Sequence, residues 1–231
     1  MGKDVIIACD FPSKAETLSF LELFKDERPF VKIGMELFYA EGPGIVKELK
    51  KRGHKVFLDL KLCDIPNTVE RAMRVLSGLG ADMVNLHAFG TKEMMKSAMA
   101  AFENMENRPI VIAVTQLTST SEERMRNDLL IEKPIEEVVK HYALCASECG
   151  LDGVVCSPKE AALVKSTCKK AFMTVTPGIR FSSSSADDQV RVMTPETAKQ
   201  TGCDYIVVGR PITKAENPLE AYRRCIREFV D

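Results

Sequence analysis

The sequence lacks the features that mark several common functional classes. No apolar run approaches the roughly 20 residues that a membrane-spanning helix needs, and the net charge is only −1, so no basic surface predicts nucleic-acid binding. No G-x-G-x-x-G follows the first apolar run, which removes the usual dinucleotide-binding signature. We therefore predict a globular protein with no membrane and no nucleic-acid partner.

Metal ligands are also sparse. None of the 8 cysteines belongs to a C-x-x-C pair, and the 3 histidines are scattered at His54, His87 and His141. A zinc site needs cysteines or histidines at short spacing, and a Ser-His-Asp triad needs a recognisable set of three partners. We therefore predict no metal. We interpret His87 as a hydrogen-bonded core residue. The N-terminus has no signal-peptide pattern. Reduced thiols and no signal together predict a cytoplasmic location.

Apolar runs that alternate with amphipathic stretches make up most of the chain. Residues 135–146 and 219–229 carry apolar side chains at i, i+3, i+4 and i+7, which predicts helices. About eight strand–helix repeats predict a parallel sheet, so we predict that residues 1–231 form one domain of the α/β class, a (β/α)8 TIM barrel. The predicted strands cover residues 5–9, 30–33, 55–62, 83–86, 109–117, 153–156, 172–176 and 205–208.

Polar residues recur where these apolar runs end. In a barrel the C-terminal ends of the strands form one face, and that face carries the active site. Residues that are distant in sequence are therefore predicted to meet there. These residues are Asp10, Lys32, Asp59, Lys61, Thr118, Arg180 and Arg210.

The most informative stretch is residues 57–68, which read F-L-D-L-K-L-C-D-I-P-N-T. Asp59 and Lys61 are two residues apart in a predicted strand and share a face, and Asp64 follows near the end of the strand. Nearby carboxylates favour a charged ammonium, and a fixed, protonated lysine can stabilise a developing carbanion and then protonate it. The alternative is a structural ion pair on a solvent-facing strand.

Two polar loops follow predicted strands, at residues 118–134 and 180–189. Each is either a solvated connection or a lid that closes over the active site. Arg180 after the seventh strand, with Gly209 and Arg210 after the eighth, matches the usual phosphate site of a barrel. Arginine binds phosphate through paired hydrogen bonds, although either arginine alone could be a surface charge.

Together these segments resemble the orotidine 5′-phosphate decarboxylase family from end to end. Residues 59–68 resemble its signature D-x-K-x-x-D-I-P-x-T, although Cys63 stands where many members have histidine. The other matching segments agree in order and spacing. They are residues 9–11, 31–34, 116–119, 176–180 and 208–210.

The resemblance implies a homodimer with shared active sites that converts orotidine 5′-phosphate into uridine 5′-phosphate (UMP), the last step of de novo pyrimidine biosynthesis, with no cofactor. It implies a catalytic charge array of Lys32, Asp59, Lys61 and Asp64, with Asp64 reaching in from the partner and Lys61 protonating C6. The substrate-binding residues that it implies are Asp10, Lys32, Asp59, Lys61, Asp64, Ile65, Thr68, Thr118, Pro177, Arg180, Gln189, Gly209 and Arg210.

Two alternative functions stay open at this point. Related barrels combine Asp-x-Lys-x-x-Asp with magnesium and act as decarboxylases or aldolases on sugar phosphates, so metal dependence separates them from the pyrimidine enzyme. The second alternative is a barrel that binds a nucleotide without catalysis. Binding without turnover would identify that class.

Overall fold

The structure, a computed structural model, describes residues 2–103, 105–181 and 193–231. Within these ranges eight parallel strands close into a barrel in chain order, and the first strand pairs with both the second and the eighth. This architecture confirms the predicted (β/α)8 barrel. The strands are β1 (Asp4–Ala8), β2 (Phe30–Gly34), β3 (Val56–Leu62), β4 (Met83–His87), β5 (Ile110–Val114), β6 (Gly153–Val155), β7 (Met173–Thr176) and β8 (Tyr205–Val208).

Helices connect successive strands and cover the outside of the barrel. Several start at a polar side chain that accepts a backbone N–H of the first turn, as Ser13, Ser121, Thr194 and Asn217 do, which satisfies one of the free donors there. The helices in the described ranges are α1 (Lys14–Leu21), α2 (Met35–Glu41), α3 (Gly44–Lys51), α4 (Pro66–Ser77), α5 (Thr91–Ala100), α6 (Glu122–Leu129), α7 (Ile135–Glu148), α8 (Ala161–Thr167), α9 (Pro195–Gln200), α10 (Arg210–Thr213) and α11 (Pro218–Phe229).

The core has two layers because side chains alternate across each strand. In β1, Ile6 points into the barrel and packs in the inner cluster with Phe30 and Phe57. Its neighbours Val5 and Ile7 belong to the larger cluster between the strands and the helices. The inner cluster fills the barrel, so the barrel is a packed core that supports the residues at its ends.

Two predicted segments differ from the observed structure. The fifth strand was predicted to reach residue 117, but β5 ends at Val114, because its partner β6 ends directly opposite at Val155. The predicted loop at residues 118–134 contains α6, which is stabilised by buried Met125 and ends at Leu130 in the left-handed conformation. Most of the predicted loop at 180–189, including Gln189, lies outside the described residues.

Disulfide bonds and membrane-spanning helices are both absent from the described residues. None of the 8 cysteines, all within the described ranges, forms a disulfide. Across the same ranges no helix has both the length and the apolar character needed to cross a bilayer.

Candidate active site

A cavity of about 620 Å³ lies at the C-terminal ends of the strands. Side chains from β2 and β3 and from the segments that follow β1, β5, β7 and β8 line it, so barrel closure brings together residues that are far apart in sequence. The sequence-predicted residues that line the cavity are Asp10, Lys32, Asp59, Lys61, Thr118, Pro177, Arg180, Gly209 and Arg210.

Four of these side chains form a row of alternating charge. The Lys32 ammonium lies 3.1 Å from Oδ1 of Asp10 and 3.2 Å from Oδ2 of Asp59. The Lys61 ammonium lies 2.7 Å from Oδ1 of the same Asp59 carboxylate. Asp59 and Lys32 are nearly buried, with side chains 10% and 11% exposed. Asp59 is therefore the centre of the row, and it holds two cations at the floor of the cavity.

The charge states of the two buried members support each other. Burial by itself would raise the pKa of Asp59, but the ammonium groups of Lys32 and Lys61, with hydrogen bonds from Lys61 and Asn85, hold that pKa below its ordinary value. Burial would likewise lower the pKa of Lys32, but Asp59 and then Asp10 raise it above its ordinary value. Both groups are consequently charged at neutral pH.

Lys61 departs from regular strand geometry. Its φ of 52° is left-handed, a conformation that costs a non-glycine residue about 1–2 kcal/mol. The pairing of β3 with β4 shifts at this point, because Leu58 lies opposite Val84 whereas Leu62 lies opposite Leu86. The simple alternation that we used to place Asp59 and Lys61 on one face is thus interrupted by a bulge, and the two side chains nevertheless meet.

Three residues of the signature lie outside the cavity in the single chain. Asp64 is exposed, its Oδ1 accepts the backbone N–H of Ile65 at 2.7 Å, and it makes no ion pair with the side chains that the structure describes. Ile65 is 67% exposed, and Thr68 is exposed on the first turn of α4. Cys63 is also exposed. One chain alone therefore does not bring Asp64 to Lys61.

The opposite side of the cavity carries the two arginines. Arg180 is buried, and its Nη1 donates to the carbonyl of Ile179 at 2.8 Å while its backbone N–H donates to Met193 at 2.9 Å. Arg210 is exposed at the start of α10, directly after Gly209. The cavity thus has a Lys–Asp side and an arginine side, which suits an elongated ligand with an anionic end.

His87 corrects one prediction. We predicted a hydrogen-bonded core histidine, but its Nδ1 is buried without a hydrogen-bond partner in the described part of the chain. Its ring lies 4.6 Å from that of Phe89. Burial, and next the charge of Lys61, lower the pKa of His87 below its ordinary value. An uncharged imidazole needs no counter-ion, which explains why aromatic packing can hold it here.

Sequence reasoning missed Asn85 and Lys214. Asn85 is an almost fully buried amide in β4 that bonds to both Asp59 and Lys61, and Lys214 lines the cavity beyond α10. The signal for Asn85 was a polar residue in the middle of the apolar run M-V-N-L-H. Lys214 carries no comparable signal, because it follows the strand end by several residues.

Among the side chains of residues 2–103, 105–181 and 193–231, no group of three or more His, Cys, Asp or Glu is arranged to hold a metal ion.

A closed parallel barrel with a charged cavity at the C-terminal strand ends is the architecture of a barrel enzyme. The chain belongs to the orotidine 5′-phosphate decarboxylase / HUMPS family, whose family model matches residues 3–225. It is 57% identical over 227 residues to orotidine 5′-phosphate decarboxylase of Bacillus cytotoxicus, which covers 96% of this chain and 95% of that protein. The Bacillus mycoides relative of the same name has the same identity and coverage.

Solved structures agree with this assignment. Orotidine 5′-phosphate decarboxylase from Lactobacillus acidophilus superposes with a TM-score of 0.88 at 39% identity, covering 99% of this chain and 100% of that chain. An uncharacterized conserved protein from Geobacillus kaustophilus gives a TM-score of 0.87 at 48% identity, covering 97% of this chain and 99% of that chain.

Proposed function

We propose that the chain performs the carboxy-lyase reaction of its family, converting orotidine 5′-phosphate to UMP and carbon dioxide, with Lys61 as the catalytic acid. The observation that carries this assignment is the position of the Lys61 ammonium, 2.7 Å from buried Asp59 at the floor of the cavity. The family that matches the chain contains a second group besides the decarboxylases, named HUMPS. The 57% identity to decarboxylases supports the pyrimidine substrate over a sugar phosphate.

The chemistry requires fixed positive charge. When the bond between C6 and the carboxylate breaks, the electron pair stays on C6, where the ring π-system does not delocalise it well. A preorganised ammonium lowers the energy of that charge without reorganisation of solvent. Lys61 then transfers a proton from Nζ to C6. Asp59 holds the ammonium in place, and Lys32 in turn pairs with the other oxygen of the Asp59 carboxylate.

The remaining lining residues bind the substrate in this proposal. Buried Arg180, Gly209 and Arg210 hold the phosphate at the arginine side of the cavity, where Pro177 also lies. Gln189 is proposed to bind the same phosphate. Asp10 and Lys32 contact the ribose hydroxyls, and Thr118 lies beside the pyrimidine. Phosphate binding far from C6 supplies energy that positions the reacting bond.

We propose a homodimer in which the partner completes each site. In one chain Asp64, Ile65 and Thr68 lie outside the cavity and are exposed. A second copy that buries Ile65 could place its Asp64 beside Lys61 of the first copy. The array would then be Lys32–Asp59–Lys61–Asp64, with a carboxylate on each side of the catalytic ammonium.

Mixing two inactive variants tests the shared site. In a dimer of Lys61→Ala with Asp64→Ala, one site has lost both groups and the other is intact. Random subunit exchange should therefore restore about one quarter of the wild-type activity, measured as UMP formation after mixing. No recovery, with exchange confirmed by a tag pull-down, would refute sharing.

We also propose that residues 1–231 act as one catalytic domain in the cytoplasm. Closure of β8 onto β1 supports the single domain, and eight cysteines without a disulfide support a reducing compartment.

The reaction itself is tested by ultraviolet absorbance of orotidine 5′-phosphate mixed with the purified protein, with and without a chelator. We expect a change to the UMP spectrum that the chelator does not affect. No change to orotidine 5′-phosphate, together with turnover of a sugar phosphate that the chelator abolishes, would favour the magnesium-dependent sugar-phosphate group. UMP binding without any spectral change would favour a nucleotide-binding barrel.

A further inference from the structure

Asn85 is an unusual residue for its position. It lies in the middle of β4 and is only 1% exposed. Residues of a parallel barrel strand are normally apolar, because both faces are covered. A buried amide is unfavourable unless its groups are hydrogen-bonded. The contacts that Asn85 makes therefore indicate why a polar side chain is accommodated here.

Both ends of the Asn85 amide bond to the catalytic strand. Its Nδ2 donates to Oδ1 of Asp59 at 2.7 Å, and its Oδ1 accepts the backbone N–H of Lys61 at 2.8 Å. The partners determine the orientation of the amide, because a carboxylate only accepts and a backbone N–H only donates. Asn85 is absent from the cavity lining, so it does not contact a ligand in the cavity.

The bond to Lys61 compensates for a bulge in β3. Between the pairs Leu58–Val84 and Leu62–Leu86, β3 has two residues more than β4. The N–H of Lys61 consequently lacks a regular ladder acceptor, and the side chain of Asn85 supplies one. This bond stabilises the left-handed backbone of Lys61, whose φ is 52°, and that backbone sets the direction in which the side chain leaves the strand.

The second bond fixes the other partner. Oδ1 of Asp59 receives both the Lys61 ammonium and Nδ2 of Asn85, each at 2.7 Å. One amide thus holds the main chain of the lysine and the carboxylate that aligns its ammonium. We propose that Asn85 is a positioning residue for the decarboxylation, which sets the position of Lys61 Nζ through these two hydrogen bonds; this rests on the proposed role of Lys61.

Two substitutions separate the two bonds. Asn85→Leu keeps the branched shape and the number of side-chain heavy atoms and removes both hydrogen bonds. We expect kcat to fall about 10²-fold, as displacement of a catalytic group by about 1 Å does, while KM and UMP affinity stay near the wild-type values, because Asn85 does not line the cavity. Asn85→Asp keeps an acceptor for the Lys61 N–H but can donate to Asp59 only when the introduced acid is protonated.

The pH profile provides a readout that a purely structural role would not produce. The ratio of kcat for Asn85→Asp to wild-type kcat should rise as pH falls, because protonation restores the donor to Asp59. The ratio for Asn85→Leu should stay flat. Thr174→Val is the matched control, since Thr174 is a fully buried residue that bonds to Asp204 at the other end of the barrel. Its kcat should equal the wild-type value.

The outcomes decide between the inference and the function on which it rests. A kcat for Asn85→Leu as high as that of Thr174→Val overturns the positioning role if Lys61→Ala is inactive. If Lys61→Ala retains turnover, the proposed function fails, and a crystal structure of Asn85→Leu tests positioning directly. A Lys61 with φ still near 52° and its ammonium still on Asp59 would overturn the inference, whereas a displaced Lys61 would support it.

Discussion

The two ends of the barrel use aspartate in opposite ways. At the N-terminal end, Oδ2 of Asp82 accepts the backbone N–H of Val56 at 2.7 Å and the Lys50 ammonium at 2.6 Å. At the C-terminal end, Asp59 bonds only to the side chains of its described neighbours, among them Lys32 and Lys61. The first carboxylate joins two strands, whereas the second aligns cations that face an open cavity.

The N-terminal arrangement repeats around the barrel. An aspartate directly before β4, β6 or β8 accepts a backbone N–H from the strand before it, and each aspartate also pairs with a lysine or arginine. These side chains are 22–34% exposed, compared with about a tenth for Asp59 and Lys32. The three sets are Asp82–Val56–Lys50, Asp152–Val111–Arg108 and Asp204–Thr174–Lys165.

Cavity size does not separate the two ends. The N-terminal cavity measures about 660 Å³ and the C-terminal one about 620 Å³. The charged groups of the N-terminal cavity are bound to other protein groups. Asp82 accepts the Val56 N–H and pairs with Lys50. Arg108 pairs with Asp152, and Lys3 donates to the carbonyl of Lys199. The difference in function therefore follows from what the charged groups bind and from how strongly they are desolvated.

The largest expected contrast is between two lysines. Lys61→Ala should lower kcat by about 10⁴-fold or more, because it removes both the charge at the carbanion and the proton donor, while UMP still binds. Lys50→Ala at the other end should leave kcat unchanged and lower the free energy of unfolding by about 1 kcal/mol at most. Steady-state kinetics and urea unfolding measure both effects. Near-normal turnover of Lys61→Ala would remove it from the central role.

The next contrast is between two aspartates. Asp59→Asn leaves nearly buried Lys32 and partly buried Lys61 without their shared carboxylate, so we expect it to lower the free energy of unfolding by about 3 kcal/mol at neutral pH. Asp82→Asn can still accept the Val56 N–H and should lose only about 1 kcal/mol. Equal losses at neutral pH would contradict the difference in desolvation.

The pH dependence of the Asp59→Asn effect follows from the pKa of Asp59. Because that pKa is held below the ordinary value of 3.8, the carboxylate stabilises the fold fully above that value and loses its contribution as pH falls through the lower, folded-state pKa. Lys32, whose pKa is raised above 10.5, loses its contribution only as pH rises through its own folded-state pKa. The stability gap between wild type and Asp59→Asn should therefore be flat between these limits and shrink in acid. A gap that persists in strong acid would contradict the assignment.

The smallest effect concerns two arginines. Arg210→Ala should lower kcat/KM for orotidine 5′-phosphate by about 10- to 100-fold, because it removes the charge-assisted hydrogen bonds from one guanidinium to the phosphate. It should barely affect turnover of orotidine, which lacks the phosphate. Arg108→Ala, which breaks the bidentate pair with Asp152, should affect stability instead of kcat/KM. Equal losses of Arg210→Ala on both substrates would rule out a phosphate role.

Much of the fold was predictable because its signals are local. The apolar runs correctly placed all eight strands. The fifth was predicted too long by the largest margin, because the length of a strand depends on how far its neighbour continues. The helix α6 was missed inside a polar segment, where a single buried residue, Met125, anchors it.

The sequence by itself determined which chemical groups are available and which strand ends carry them. Tertiary structure alone decided that Lys32 and Lys61 share one carboxylate, that Asp64 stays outside the cavity of its own chain, and that Asn85 holds Lys61 in a left-handed conformation. The physical reason is that Lys32 and Asn85 reach β3 from the neighbouring strands β2 and β4. A residue pattern can report the alternation within one strand, but the partner of a backbone N–H at a bulge exists only after the neighbouring strand has docked.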